Sequence, residues 1–441
     1  AAVGLGWFLA STYWVSNSLV VNVPSNWFFV PLVALALAMT LASFWAVAGA
    51  LSFSFGRNPL ARILWLLIFL SLSEWTRGFV ATGFPWNLTG SLFAVDLASM
   101  QAASFIGVYG LCIIAIAFAA APVFWAIGHR RFSIIAVTLP IILALAGAIR
   151  LAGAPVLGLP SNAEPVVRLV QPAIPQAEKW DPANRQIHLD RLVDLSRQNE
   201  LHPKLVIWPE TAFVGFPSRD AALLDKTVRD ATSKKGTLIT GIPRFGDDQT
   251  LLNSAIMLSH EGKIKGIYNK RHLVPFGEYI PFREWLPFLN PIVGAVDFSA
   301  GQNNALMQLE GIGTMQLLIC YEVIFSGEVL SLAMRPDLMV NITNDAWFGE
   351  TIGPHQHFSK AILRSIESRK FVIRSANKGI SAFLDPTGKV VKSLEPSEPG
   401  NIELEVPVHD KLEIQHKKSL IFLLLLITYV LAFFILRKLK I

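Results

Sequence analysis

Long apolar runs fill the first 150 positions of the chain, whereas later positions alternate short apolar runs with polar stretches. A bilayer-crossing helix needs roughly 20 mostly apolar residues. The first part offers about five such stretches, near 3–20, 28–55, 60–80, 101–127 and 132–149, and a sixth, SLIFLLLLITYVLAFFIL, lies near 419–436. Between about 163 and 410 the period changes. Short β-rich runs at 166–172, 204–210, 237–242, 253–259, 315–322, 338–345, 371–377 and 381–385 predict strands, and the stretches 183–199, 219–235, 323–334 and 356–370 predict helices. Strands alternating with helices predict an α/β layered domain. The first of these helices is expected to open at Asp181-Pro182, a capping residue followed by proline in the first turn. The segment 281–298, PFREWLPFLNPIVGAVDF, breaks the rhythm with three prolines and reads as a long oily loop of the kind that forms lids.

Composition sharpens this division. With 52% hydrophobic and 16% charged residues among 441, the chain is too apolar for an ordinary soluble protein, and disordered, collagenous and disulfide-scaffold classes are excluded. Residues 1–150 hold eight charged side chains (Arg57, Arg62, Glu74, Arg77, Asp96, Arg130, Arg131, Arg150) and no lysine. Basic residues cluster at Arg57/Arg62, Arg130/Arg131 and Arg437/Lys438/Lys440, and the positive-inside rule puts these clusters in the cytoplasm. Threading the spans between them puts residues 151–418 on the outer side, the periplasm of a bacterial inner membrane. The net charge of +6 does not mark a nucleic-acid partner, because no Lys/Arg run with interleaved aromatics occurs away from membrane flanks. Glu74 and Arg77, three apart on one helical face, read as an internal pair beside the FPW word at 84–86 rather than as a proton relay.

Three polar residues stand at the ends of apolar strand runs, where α/β sheets usually form their sites: Glu210 after LVIWP, Lys270 after IYN and Cys320 after MQLLI. A carboxylate that takes a proton, an ammonium that steadies an oxyanion and a thiolate nucleophile make a sufficient acyl-transfer set. Taken singly, each has a bland reading: Glu210 as a helix cap, Lys270 as part of a solvated basic turn, and Cys320 as a buried small hydrophobe like Cys112. No spacing rule links them. His355 and His357 in GPHQH read as a helix entry rather than as metal ligands, since no matching Cys/His/Asp set stands nearby in sequence. Asn344, Asp345 and Trp347 read as a supporting turn, and Asn377 and Gly379 as structural.

The words WPET, NKRHLVPFGEYIP, ICYEVIF and NITNDAWFG, in this order, resemble the nitrilase superfamily of carbon-nitrogen hydrolases and acyltransferases. Joined to N-terminal spans and one C-terminal span, they resemble its membrane branch, the apolipoprotein N-acyltransferases. The resemblance implies a polytopic α-helical membrane domain (1–150), a periplasmic nitrilase-like αββα sandwich (163–410) and a C-terminal span (419–436). That branch has eight spans, so two more are expected upstream. The resemblance also implies catalysis by Glu210 as general base, Lys270 as oxyanion stabiliser and Cys320 as nucleophile, supported by Glu278, Tyr321, Glu322 and Trp180. Its substrates would be a phospholipid acyl donor, phosphatidylethanolamine, and a diacylated apolipoprotein acceptor, with no cofactor and no metal. Trp285 and Phe288 in the oily segment are candidate lid residues. The rival readings are a membrane-tethered amidase that uses water as acceptor, and a transporter or receptor whose outer domain only binds.

Overall fold

A computed structural model describes residues 1–21, 23–153, 166–198, 202–285, 297–302, 306–327 and 336–406. The predicted span at 419–436, the candidate lid residue Phe288 and most of the predicted helix at 323–334 lie outside the described residues.

Helix α1 covers Ala2–Thr12, α2 Val30–Phe55, α3 Pro59–Thr76, α4 Ala103–Ala126 and α5 Arg130–Ala152. Among the described residues, four helices are long and apolar enough to cross a bilayer; the first of them includes the 3-10 turn Pro24–Phe29 that leads into α2. The expected span near 3–20 is therefore corrected. After Thr12 the chain tightens into a 3-10 turn, Tyr13–Asn17, because Trp14 turns away to pack against Trp86 and Phe348.

Among the described residues, twelve strands form two six-stranded sheets. They are β1 Val166–Gln171, β2 Leu205–Ile207, β3 Thr237–Phe245, β4 Leu251–Ser259, β5 Ile264–Asn269, β6 Leu306–Leu309, β7 Gly313–Ile319, β8 Leu338–Thr343, β9 Phe371–Ala376, β10 Ser381–Leu384, β11 Val390–Leu394 and β12 Gly400–Glu405. One sheet runs β12-β1-β2-β3-β4-β5, the other β11-β10-β9-β8-β7-β6. In each, three central strands are parallel and the flanking strands antiparallel.

The period-2 alternation of strand side chains explains how the layers stack. Val167 and Leu169 of β1 meet Val340 and Ile342 of β8 in the core between the sheets. Val170 and Val206 point the other way, onto Leu189 and Leu192 of α6 (Arg185–Arg197) and Val228 of α7 (Ala221–Ala231). Beyond the second sheet, Met339 and Val372 pack on Ala361 of α8 (Gly353–Ser368). The result is the expected αββα sandwich. Helix α6 starts at Arg185 rather than at Pro182, because the Asp181 side chain closes a short turn on the Ala183 N–H instead of capping the helix.

Helix α8 is also where the sandwich meets the apolar helices. Leu363 and Ile366 share a core with Tyr109, Leu111 and Cys112 of α4. Gln356 Oε1 accepts from Trp14 Nε1 (3.1 Å), Trp86 Nε1 (2.8 Å) and Asn87 Nδ2 (3.0 Å). The Glu74–Arg77 pair, fully buried, organises the Trp86 side of this junction. Arg77 donates to the carbonyls of Phe84 and Trp86, while Glu74 accepts from the Thr89 N–H and Trp45 Nε1. Its role is that of an internal pair.

Candidate active site

The two sheets bring their strand ends together at one place. Glu210 lies three residues beyond β2, and the turn around it sits so close to Gly241 of β3 that a Cβ there would stand 2.6 Å from the Glu210 Cα. Lys270 directly follows β5, with its N–H on the Asn253 carbonyl at 2.8 Å. Cys320 directly follows β7 and begins a 3-10 turn with φ +51°, a left-handed conformation unusual for a non-glycine residue.

Lys270 is 1% exposed, which corrects the solvated-turn reading. Its Nζ lies 2.9 Å from Glu278 Oε2 and 3.5 Å from Glu210 Oε1. Burial acts to strip its proton, but the Glu278 and Glu210 carboxylates and the Cys320 thiol prevail and hold the ammonium well above its ordinary pKa. Asn253 Nδ2 bridges the two acids, at 2.8 Å from Glu210 Oε1 and 2.7 Å from Glu278 Oε1. Burial and the Glu210 charge push the Cys320 thiol up, and Lys270 pulls against them. This balance favours the thiol over the thiolate at Cys320.

Glu322 fastens this arrangement. It accepts from Tyr268 Oη (2.7 Å) and the Arg271 N–H (2.8 Å) on the lysine side, and from the Ile319 N–H (2.7 Å) on the cysteine side. Tyr321 Oη donates to the Gly83 carbonyl at 2.9 Å, which joins the turn that begins at Cys320 to the chain after α3. Trp180 is 48% exposed. Asn344, Asn377 and Gln176 link the ends of the two sheets, with Asn344 Nδ2 donating to Gln176 Oε1 (2.7 Å) and Asn377 Nδ2 to Asn344 Oδ1 (2.9 Å).

Sequence reasoning missed Asn253, Lys179 and the partners of His357. His357 is not a mere helix entry. It is buried beneath Cys320, with Nδ1 2.8 Å from Asp345 Oδ1 and Nε2 3.3 Å from the Cys320 carbonyl. One ligating atom each from Cys320, Asp345 and His357 falls within 4.8 Å of the others, so a Cys/His/Asp set does exist here, although His355 is not in it. Arg374 fills the cationic place in this group: its Nη2 lies 2.7 Å from Asp345 Oδ2, and Nη1 donates to Asn341. Against the penalty of burial, Arg374 and His357 hold the Asp345 carboxyl at about 2. Arg374→Met would strand that buried charge. An unfolding free-energy loss of about 3–5 kcal/mol is expected, read as a lowered Tm in detergent and partly restored by adding Asp345→Asn.

Residues 166–410 match the Carbon-nitrogen hydrolase family, and residues 1–121 match the Apolipoprotein N-acyltransferase N-terminal domain. The apolipoprotein N-acyltransferase of Rhizobium rhizogenes is 34% identical over 421 residues, covering 91% of this chain and 78% of that protein. Those of Rhizobium etli (36%, covering 91% and 78%) and Rickettsia bellii (35%, covering 92% and 81%) are similarly close. With a carbon-nitrogen hydrolase sandwich, a buried acid–lysine–cysteine centre and a matching N-terminal helical region, the chain belongs to the apolipoprotein N-acyltransferase family.

Proposed function

We propose that the chain moves an acyl group from phosphatidylethanolamine, through a thioester on Cys320, to the α-amine of an S-diacylglyceryl-cysteine at an apolipoprotein N-terminus. In the first half-reaction Glu210 takes the thiol proton, the thiolate attacks the ester carbonyl, and Lys270 steadies the oxyanion. Glu210 then returns the proton to the departing lysophospholipid hydroxyl. In the second, the acceptor amine attacks the thioester and the thiolate leaves, so ping-pong kinetics are expected. Glu278 holds Lys270 in place, and Glu322 and Tyr321 fix the nucleophile turn. The observation that carries this reading is the buried Lys270 ammonium held between the Glu210 and Glu278 carboxylates, with the Cys320 thiol close enough to feel its charge.

The family membership favours an amine over water as acceptor, so the amidase alternative is set aside. Residues 1–150 form the membrane part in this reading, and 163–410 form the catalytic part, facing the periplasm. Each buried methylene holds a lipid in the bilayer by about 0.8 kcal/mol, so the acyl chains must enter at membrane level. A lip of exposed apolar side chains supports such an entry. Phe282 and Trp285, 75% and 80% exposed and stacked at 5.8 Å, project from the segment after Glu278. Phe79 and Val80, also exposed, follow α3. Thr82 beside them meets Tyr279 Oη and the His272 ring.

Intact mass measurement of the detergent-solubilised protein after incubation with phosphatidylethanolamine tests the proposal. An added acyl mass that a diacylated lipopeptide removes is expected; a folded protein that never gains the mass would overturn it. In the same assay Trp285→Ser with Phe288→Ser is expected to slow adduct formation from lipid vesicles but not from a short-chain, water-soluble ester. Equal rates from vesicles would remove the lid role.

A further inference from the structure

A second lysine stands in the site, and the half-reactions above leave it without a task. Lys179 lies in the turn between β1 and α6, where its N–H closes on the Gln176 carbonyl at 3.3 Å. It is 3% exposed, and its Nζ donates to the main-chain carbonyl of Glu210 at 3.0 Å. The Glu210 carboxylate and the Cys320 thiol are the two ionisable groups whose charges favour its protonated form; across the turn His188 of α6 also feels its charge.

Its setting differs in kind from that of Lys270. Lys270 is ion-paired to two carboxylates, whereas among the described residues Lys179 has no carboxylate within ion-pair distance and one hydrogen-bond acceptor, a carbonyl. A carbonyl can accept an N–H from a neutral amine as well as from an ammonium, though the bond from the amine is weaker. Lys179 can therefore give up its proton and keep a hydrogen bond to that carbonyl, whereas a neutral Lys270 would forfeit two ion pairs. Burial acts in the same direction, bringing Lys179 down to about 8.

The second half-reaction requires such a group. At neutral pH the α-amine of an acceptor arrives mostly as an ammonium, which has no lone pair to attack with. Glu210 is already committed to one proton, the one that returns to the thiolate. We propose that Lys179 receives the proton of the acceptor's α-ammonium, and so generates the attacking amine inside the acyl-enzyme. The balance closes. The ammonium gives one proton to the neutral Lys179 amine; nitrogen bonds to the thioester carbon and the carbon–sulfur bond breaks. The second nitrogen proton passes through Glu210 to Cys320, and one N–H remains in the amide.

This inference rests on the acyl-enzyme reading, and the test separates the two. The acyl adduct is first formed on the wild type, Lys179→Met and Lys179→Arg, then discharged by a diacylated lipopeptide between pH 6 and 9, or by hydroxylamine, an amine that is neutral at pH 7. Both variants are expected to form the adduct, which also shows that they fold. Their discharge by lipopeptide at pH 7 is expected to be slower on the order of tenfold, approaching wild type near pH 9 as the α-amine loses its own proton. Discharge by hydroxylamine should be unchanged. An Arg variant that discharges like wild type would show that a fixed charge suffices and overturn the proposal. So would a loss of discharge that is equal for both amines and constant with pH. No adduct on the wild type would instead overturn the acyl-enzyme reading itself.

Discussion

Cys320→Ala is expected to abolish acyl transfer, with turnover falling by at least about 10⁴-fold, on the scale seen when a catalytic nucleophile is removed. The fold should survive, because the side chain is small and the turn is held by other groups. The Ile319 N–H is bonded to Glu322, and the Cys320 carbonyl faces His357. Alanine keeps the Cβ and therefore the same φ preference at +51°, so the variant should bind donor phospholipid while gaining no mass. Cys320→Ser makes the finer point. Its hydroxyl is far harder to ionise than a thiol, and Lys270 already competes with burial and Glu210 for the thiol. A serine variant that retains more than a trace of activity would show that Glu210 and Lys270 activate the nucleophile much more strongly than their placement suggests.

The second large effect is expected at Lys270→Met. Removing this ammonium leaves Glu210 and Glu278 joined through Asn253, a buried and a partly buried carboxylate with Lys270 no longer between them. One of them must then hold a proton at neutral pH. If that is Glu210, it can no longer accept the thiol proton, and the thiol itself loses the one lysine that lowers its pKa. Oxyanion stabilisation is lost as well. Adduct formation should fall about 10³-fold, with the remaining rate rising toward higher pH because the thiol now ionises later. Adding Glu278→Gln should recover stability, since it removes the surplus charge, but not rate. Recovery of both would mean that Lys270 serves only to neutralise Glu278.

The elements legible in the chain were those whose side chains answer to one environment. Strands β1, β7, β8 and β9, buried along nearly their full lengths, appear as predominantly apolar runs broken by one or two polar residues each. Strands β5, β11 and β12 were missed because most of their residues are partly exposed, so no run or clean alternation marks them, and β6 is only four residues long. The span near 3–20 misled for a related reason: apolar length alone does not reveal that Trp14 is claimed by a partner more than 300 positions away. Within the site, Glu210, Lys270, Cys320 and Glu278 stood out through recognisable words. Lys179, Asn253 and His357 did not, because their meaning lies in what the fold places beside them. Lys179 meets Glu210 across 31 positions, and His357 meets Cys320 across 37.

Helix α8 limits how this enzyme can be taken apart. A fragment cut to the carbon-nitrogen hydrolase region would leave Leu363 and Ile366 bare and Gln356 without the indole and amide donors it now accepts from. The next residue, His357, braces the Cys320 carbonyl. Excision would thus produce a sticky fragment whose loosened surface adjoins its own reactive centre. Soluble versions for screening or crystallisation would need α8 redesigned on its outer face with Gln356 and His357 kept in place, or the helical region retained whole.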